Sequence, residues 1–79
     1  MKQKEQPQLS RYYVCLLNKG QEVSLTPGRL YKRIPDKRGE EMGYVRVIDD
    51  TKEDYLFPLS LFAPVDLPAR ATRVLSKII

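Results

Sequence analysis

Seventy-nine residues, 42% hydrophobic and 30% charged, make one small domain: too apolar for a disordered chain and too short for a second core. The formal net charge is +4, yet the ends hold it, because residues 12–69 carry eight basic and nine acidic side chains. With no histidine and one cysteine, His-based triads, the usual zinc sites and an internal disulfide are excluded, and no run approaches the ~18–20 apolar residues of a membrane span.

Residues 1–10 are polar, contain Pro7 and show no periodicity, which predicts a flexible tail; the opening MKQKEQPQLSRYY lacks the apolar core of a signal peptide. Arg11–Asn18 (RYYVCLLN) is dense in β-branched, aromatic and aliphatic residues and stops at Asn18-Lys19-Gly20, so it reads as a strand buried on both faces. Cys15 in its middle reads as a small inert hydrophobe, and a lone thiol agrees with a reducing cytoplasm. Gln21–Thr26 reads as a long, partly packed loop closed by the tight turn Thr26-Pro27-Gly28, where glycine supplies the positive φ of a type II turn.

Arg29–Ile34 is the second expected strand and Tyr44–Ile48 the third, the latter with Val45 and Val47 on one face. Between them Pro35–Gly43 reads as a charged loop. Asp49–Glu53 is an all-polar hairpin tip leading into a fourth strand, Asp54–Phe57, with Leu56 expected in the core. Pro58 ends that strand, since it has no N–H for a ladder, and a single 3₁₀ turn (Leu59, Ser60, Leu61, Phe62) follows, with Phe62 also expected in the core. Ala63–Leu67 adds a short fifth strand. From Pro68 the period changes: Ala71, Val74, Leu75, Ile78 and Ile79 fall at helical spacing, with Arg70, Arg73 and Lys77 largely opposite. Twelve residues are too few to hold a helix alone, so this one needs a surface to dock on.

Five short strands and a terminal helix predict an all-β fold: a small five-stranded barrel over residues 11–67 with a C-terminal amphipathic helix over 68–79. The order of elements across residues 12–67 resembles a Src-homology-3 (SH3) barrel, above all in the strand–proline–single-turn–strand of Tyr55–Val65. The spacing Gly28-x-x-Tyr31, Pro35-Asp36, Gly43-x-x-Arg46-Val47-Ile48-Asp49 and Glu53-Asp54-Tyr55-Leu56-x-Pro58 is similar to that of a group of short uncharacterised bacterial proteins. That resemblance implies a bacterial cytoplasmic protein and no activity. In SH3 domains that bind proline-rich peptides, Pro58 would stand at the groove proline and Tyr44 near the groove tryptophan, while Ser60 and Leu61 replace an Asn-Tyr pair.

The carboxylates Asp49, Asp50, Glu53 and Asp54 lack the spacing of a calcium loop, and no phosphate loop or nucleophile elbow appears. The expectation is therefore a non-enzymatic domain without cofactor or small-molecule substrate, serving as a protein–protein interaction module or self-associating. Its expected contact residues are Tyr31, Tyr44, Pro58 and Leu61 with Arg29, Lys32, Arg33, Lys37 and Arg38, or the helix stripe Val74, Leu75, Ile78 and Ile79. The alternative is nucleic-acid binding through the basic segment 29–38, with Tyr31 and Tyr44 as stacking faces.

Overall fold

Hydrophobic alternation and two prolines cut this chain into strands too short to stand alone, and they pair into one antiparallel sheet. The computed structural model describes residues 10–78; apart from Ser10, the expected N-terminal tail lies outside them, as does Ile79. The elements are β1 (Tyr12–Cys15), β2 (Leu30–Ile34), α1 (Lys37–Glu41), β3 (Tyr44–Ile48), β4 (Asp54–Pro58), a 3₁₀ turn (Leu59–Leu61), β5 (Phe62–Val65) and α2 (Ala69–Ile78). The sheet order is β4-β3-β2-β1-β5. Among the described residues no ladder joins β4 to β5, so the sheet is open between its edge strands.

β2 is shared. Its first residues, Leu30–Lys32, pair with β1, and its last, Arg33 and Ile34, pair with β3. The inward side chains of both halves meet in one core of Tyr13, Cys15, Leu25, Tyr31, Val45, Val47, Phe57 and Phe62. Phe62 is its hub, with ring centroids 6.1 Å from Tyr31, 6.3 Å from Tyr13 and 6.3 Å from Phe57. These are edge-on and tilted contacts of the kind aromatic quadrupoles favour.

The loop between β1 and β2 is tied down at several points. The turn at Pro27-Gly28 is closed by the Arg29 N–H donating to the Thr26 carbonyl (3.2 Å), and Gly28 sits at φ +85°, which disfavours any residue with a Cβ. The Gly28 N–H reaches the Cys15 carbonyl (2.7 Å), Asn18 Nδ2 donates to the Leu25 carbonyl (2.9 Å), and Leu25 is fully buried.

Several elements differ from the sequence reading. The first strand stops at Cys15: the N–H groups of Leu16 and Leu17 both turn to the Leu61 carbonyl (2.8 and 3.3 Å), and both side chains are exposed rather than buried. Residues 37–41, expected as loop, form α1, because the Asp36 side chain caps it by accepting from the Gly39 N–H (2.9 Å). Gly39 also lies against Leu56 on β4, whose terminal methyl would have to give way to a Cβ there. Leu56 itself is half-exposed and Phe57 takes its expected place in the core. The ladder explains this: β4 pairs Phe57 with inward Val45, and Leu56 with outward Arg46.

The hairpin tip is polar but not wholly solvated. Asp49 is buried, its Oδ1 accepting from both the N–H and the hydroxyl of Thr51, and its N–H donates to the Glu53 carbonyl (2.9 Å). Its Oδ2 is enclosed with no partner at hydrogen-bond geometry. Burial pushes the Asp49 carboxyl up, but the donors around it outweigh burial and hold it below the ordinary range. A carboxyl depressed in the folded state adds stability above its unfolded pKa near 4 and loses it as pH falls through the lower folded value. The melting temperature is therefore expected to drop on acidification below about pH 4. In Asp49→Asn that acid limb should be shallower; parallel limbs in thermal melts of the two proteins would refute the assignment.

Candidate interaction surface

The 3₁₀ turn gathers half of the exposed large apolar residues. Tyr44 and Pro58 lie directly opposite in the β3–β4 ladder, the Leu59 N–H donates to the Gly43 carbonyl (3.0 Å), and the Leu61 carbonyl accepts from Leu16 and Leu17. Backbone bonds thus bring Leu16, Leu17, Leu59 and Tyr44 around the turn, with Met42 two residues before Tyr44, and all five are exposed, Leu17 at 59% and Met42 at 72%. Pro58 lies half-buried among them, and Leu61 packs against the core. Of these residues the sequence pointed to Tyr44, Pro58 and Leu61. Leu16 and Leu17 were hidden inside an apolar run that reads as a buried strand; only their position next to Asn18-Lys19-Gly20 marks them as leaving the sheet.

Tyr31 is elsewhere. It is 3% exposed; its hydroxyl accepts from the Thr26 N–H (2.7 Å) and donates to Asp50 Oδ1 (2.8 Å). Burial, foremost, raises its pKa. Asp50 also accepts from the Thr26 hydroxyl (2.7 Å) and pairs with Arg29 (3.4 Å), so these four residues lock the hairpin tip to the loop before β2.

The basic segment 29–38 does not form one surface. Arg33 points inward, largely sheltered, in a two-pronged pair with Glu40 (2.7 and 3.2 Å). Lys32 has the opposite parity on β2, while Lys37 and Arg38 are exposed on α1. Arg46, outward on β3, joins Asp36 (2.8 Å) and Asp54 (3.2 Å). The Gly39 N–H and then Arg46 hold the Asp36 carboxyl below its ordinary range. Cys15 is buried, and burial pushes its thiol up, away from the reactive thiolate.

α2 lies over the outward face of β5, β1 and β2. One cleft of about 620 Å³ separates it from Arg11, Tyr12 and Val65, and a second of about 410 Å³ lies between Ile78 and Leu30, Lys32, Ile48 and Lys52. Its fit is loose: no helix residue is buried, Leu75 is half-buried, and Val74 and Ile78 are exposed at 57% and 65%. Among the described residues no three acidic or cysteine side chains gather to hold a metal ion, and no helix is long and apolar enough to cross a membrane. Compared with known proteins, the chain matches no family model, no curated protein and no solved structure.

Proposed function

We propose that this chain is a non-enzymatic protein-interaction module on an SH3-like barrel, working in a bacterial cytoplasm, with Leu16, Leu17, Leu59, Tyr44 and Met42 as its contact surface. The barrel is supported by the sharing of β2 between two strand partners and by the single 3₁₀ turn joining β4 to β5. The observation that carries the function is the exposure of these five apolar side chains around one turn, since a cluster of exposed apolar groups marks a contact surface more often than singly scattered ones do. Its partner is an apolar segment of another polypeptide, laid across the turn between Tyr44 and Leu17. Nucleic-acid binding through residues 29–38 has less behind it, since Arg29 and Arg33 already carry acidic partners and Tyr31 is sequestered.

The test is selection of a random-peptide phage library on the full chain, followed by chemical-shift mapping of the selected peptides. Shifts are expected at Leu17, Tyr44 and Leu59. Leu17→Asp and Tyr44→Ala should each weaken binding at least about tenfold while moving stability by only about 0.5 kcal/mol, as exposed positions do. Selected peptides that map to another face, or a library that yields none, would refute the proposal.

A further inference from the structure

Most cations of the sheet are spoken for: Arg33 by Glu40, Arg46 by Asp36 and Asp54, Arg29 by Asp50. The face carrying α2 is different. Arg70, Arg73, Val74, Lys77 and Ile78 recur at helical spacing and are all exposed, so Val74 and Ile78, expected on a separate apolar stripe, share the outward face with the cations while Ala71, Thr72 and Leu75 are the half-buried side. The clefts on either side add Arg11 at one flank and Lys32 and Lys52 at the other. Among the described residues none of these six cations is in an ion pair; the carboxylates lining the clefts are Asp66 at the larger one and, at the other, buried Asp49 and Asp50, the latter already bonded to Thr26, Tyr31 and Arg29.

We propose that this face, from Arg11 across α2 to Lys32 and Lys52, binds the phosphodiester backbone of nucleic acid without reading its sequence. Arg11 and Arg73 flank the larger cleft, with Thr72 on its wall, so a phosphate seated there meets two guanidiniums that can each donate in pairs, and a hydroxyl. The aromatics that line the clefts, Tyr12 and Tyr31, are both buried, so this face offers bases no stacking platform and its exposed charges are left to the backbone phosphates. The same burial argues against a bilayer as the ligand, because two exposed aliphatics, Val74 and Ile78, make too small an apolar face to seat a helix in lipid. The site is separate from the apolar cluster around the 3₁₀ turn, and either can fail without the other.

The experiment is fluorescence anisotropy of the full chain with a labelled single-stranded 20-mer of mixed sequence, titrated over a range of salt concentrations. Binding is expected to weaken with a log–log slope near −3.5, the value for about five neutralised phosphates at roughly 0.7 each. Arg73→Glu/Lys77→Glu should lower affinity at least about 30-fold at 50 mM salt and flatten the slope by about 1.4. Lys37→Glu/Arg38→Glu, the same change in charge placed on α1, should stay within about threefold, and so should Leu17→Asp. Melting curves confirm that each variant folds, since all these side chains are exposed. Equal losses in the α1 and α2 variants would reduce the effect to net charge and overturn the proposal. It is also overturned if the full chain shows no salt-dependent binding, or if it binds phosphatidylserine vesicles that the 20-mer cannot displace.

Discussion

Truncating Phe62 to alanine is expected to leave the domain largely unfolded at room temperature. The ring contacts Tyr13, Tyr31 and Phe57, so its removal takes one member from each of three aromatic pairs and opens a cavity between the two halves of the sheet. Such a change costs about 3–5 kcal/mol, and a chain of this size has only about 3–5 kcal/mol in hand. The far-ultraviolet spectrum and the dispersion of amide resonances should both collapse. Phe62→Leu, which keeps much of the volume, should retain a cooperative urea transition at a lower midpoint. Leu56→Ala serves as contrast: at 38% exposure, on the outward face, it should cost under about 1.5 kcal/mol. A Phe62→Ala protein melting with the parent would show that the core has been wrongly centred.

Leu25→Ala is the second large effect expected, and it falls in a segment with no regular structure. Leu25 is fully buried, its carbonyl accepts from Asn18 Nδ2, and its neighbour Ser24 receives the Asp50 N–H (2.8 Å). It is the apolar pin of a loop whose polar ties, through Thr26, Tyr31 and Asp50, run to the tip of the β3–β4 hairpin. Losing the side chain should cost about 2–5 kcal/mol, as a buried leucine in a strand would, and should also speed hydrogen exchange at the Asp50 N–H. A shift in urea midpoint within the roughly 0.5 kcal/mol of a surface substitution would mean that the loop is held by its hydrogen bonds alone.

The candidate surface was only partly legible. Tyr44 and Pro58 could be named from strand order, but their juxtaposition depends on the hairpin register. That register could have been worked out: an all-turn Asp49–Glu53 pairs residue 48 with 54 and residue 45 with 57, which already sends Phe57 inward and Leu56 outward. Leu16 and Leu17 could not be separated from the buried strand before them, because apolar runs do not say which of their members meet a partner. α1 escaped for a related reason. Five residues around a glycine show no period, and its stability comes from the Asp36 cap, from Leu56 beneath Gly39 and from the Arg33–Glu40 pair.

By itself the sequence determined where the chain turns and what each piece prefers to be. Pro27-Gly28 dictated a turn with positive φ, Pro58 ended β4 in a single 3₁₀ turn, alternation about Val45 and Val47 dictated β3, and the changed period after Pro68 dictated α2. Those choices act through covalent geometry and sterics within a few residues, so they can be read without knowing the rest. Tertiary structure alone decided that Tyr31 is sequestered while Tyr44 is exposed, that Arg33 faces Glu40, and that α2 rests loosely with its cations outward. Exposure and charge pairing are set by groups distant in the chain, such as the 19 residues separating Tyr31 from Asp50, and no local pattern specifies which of them will meet.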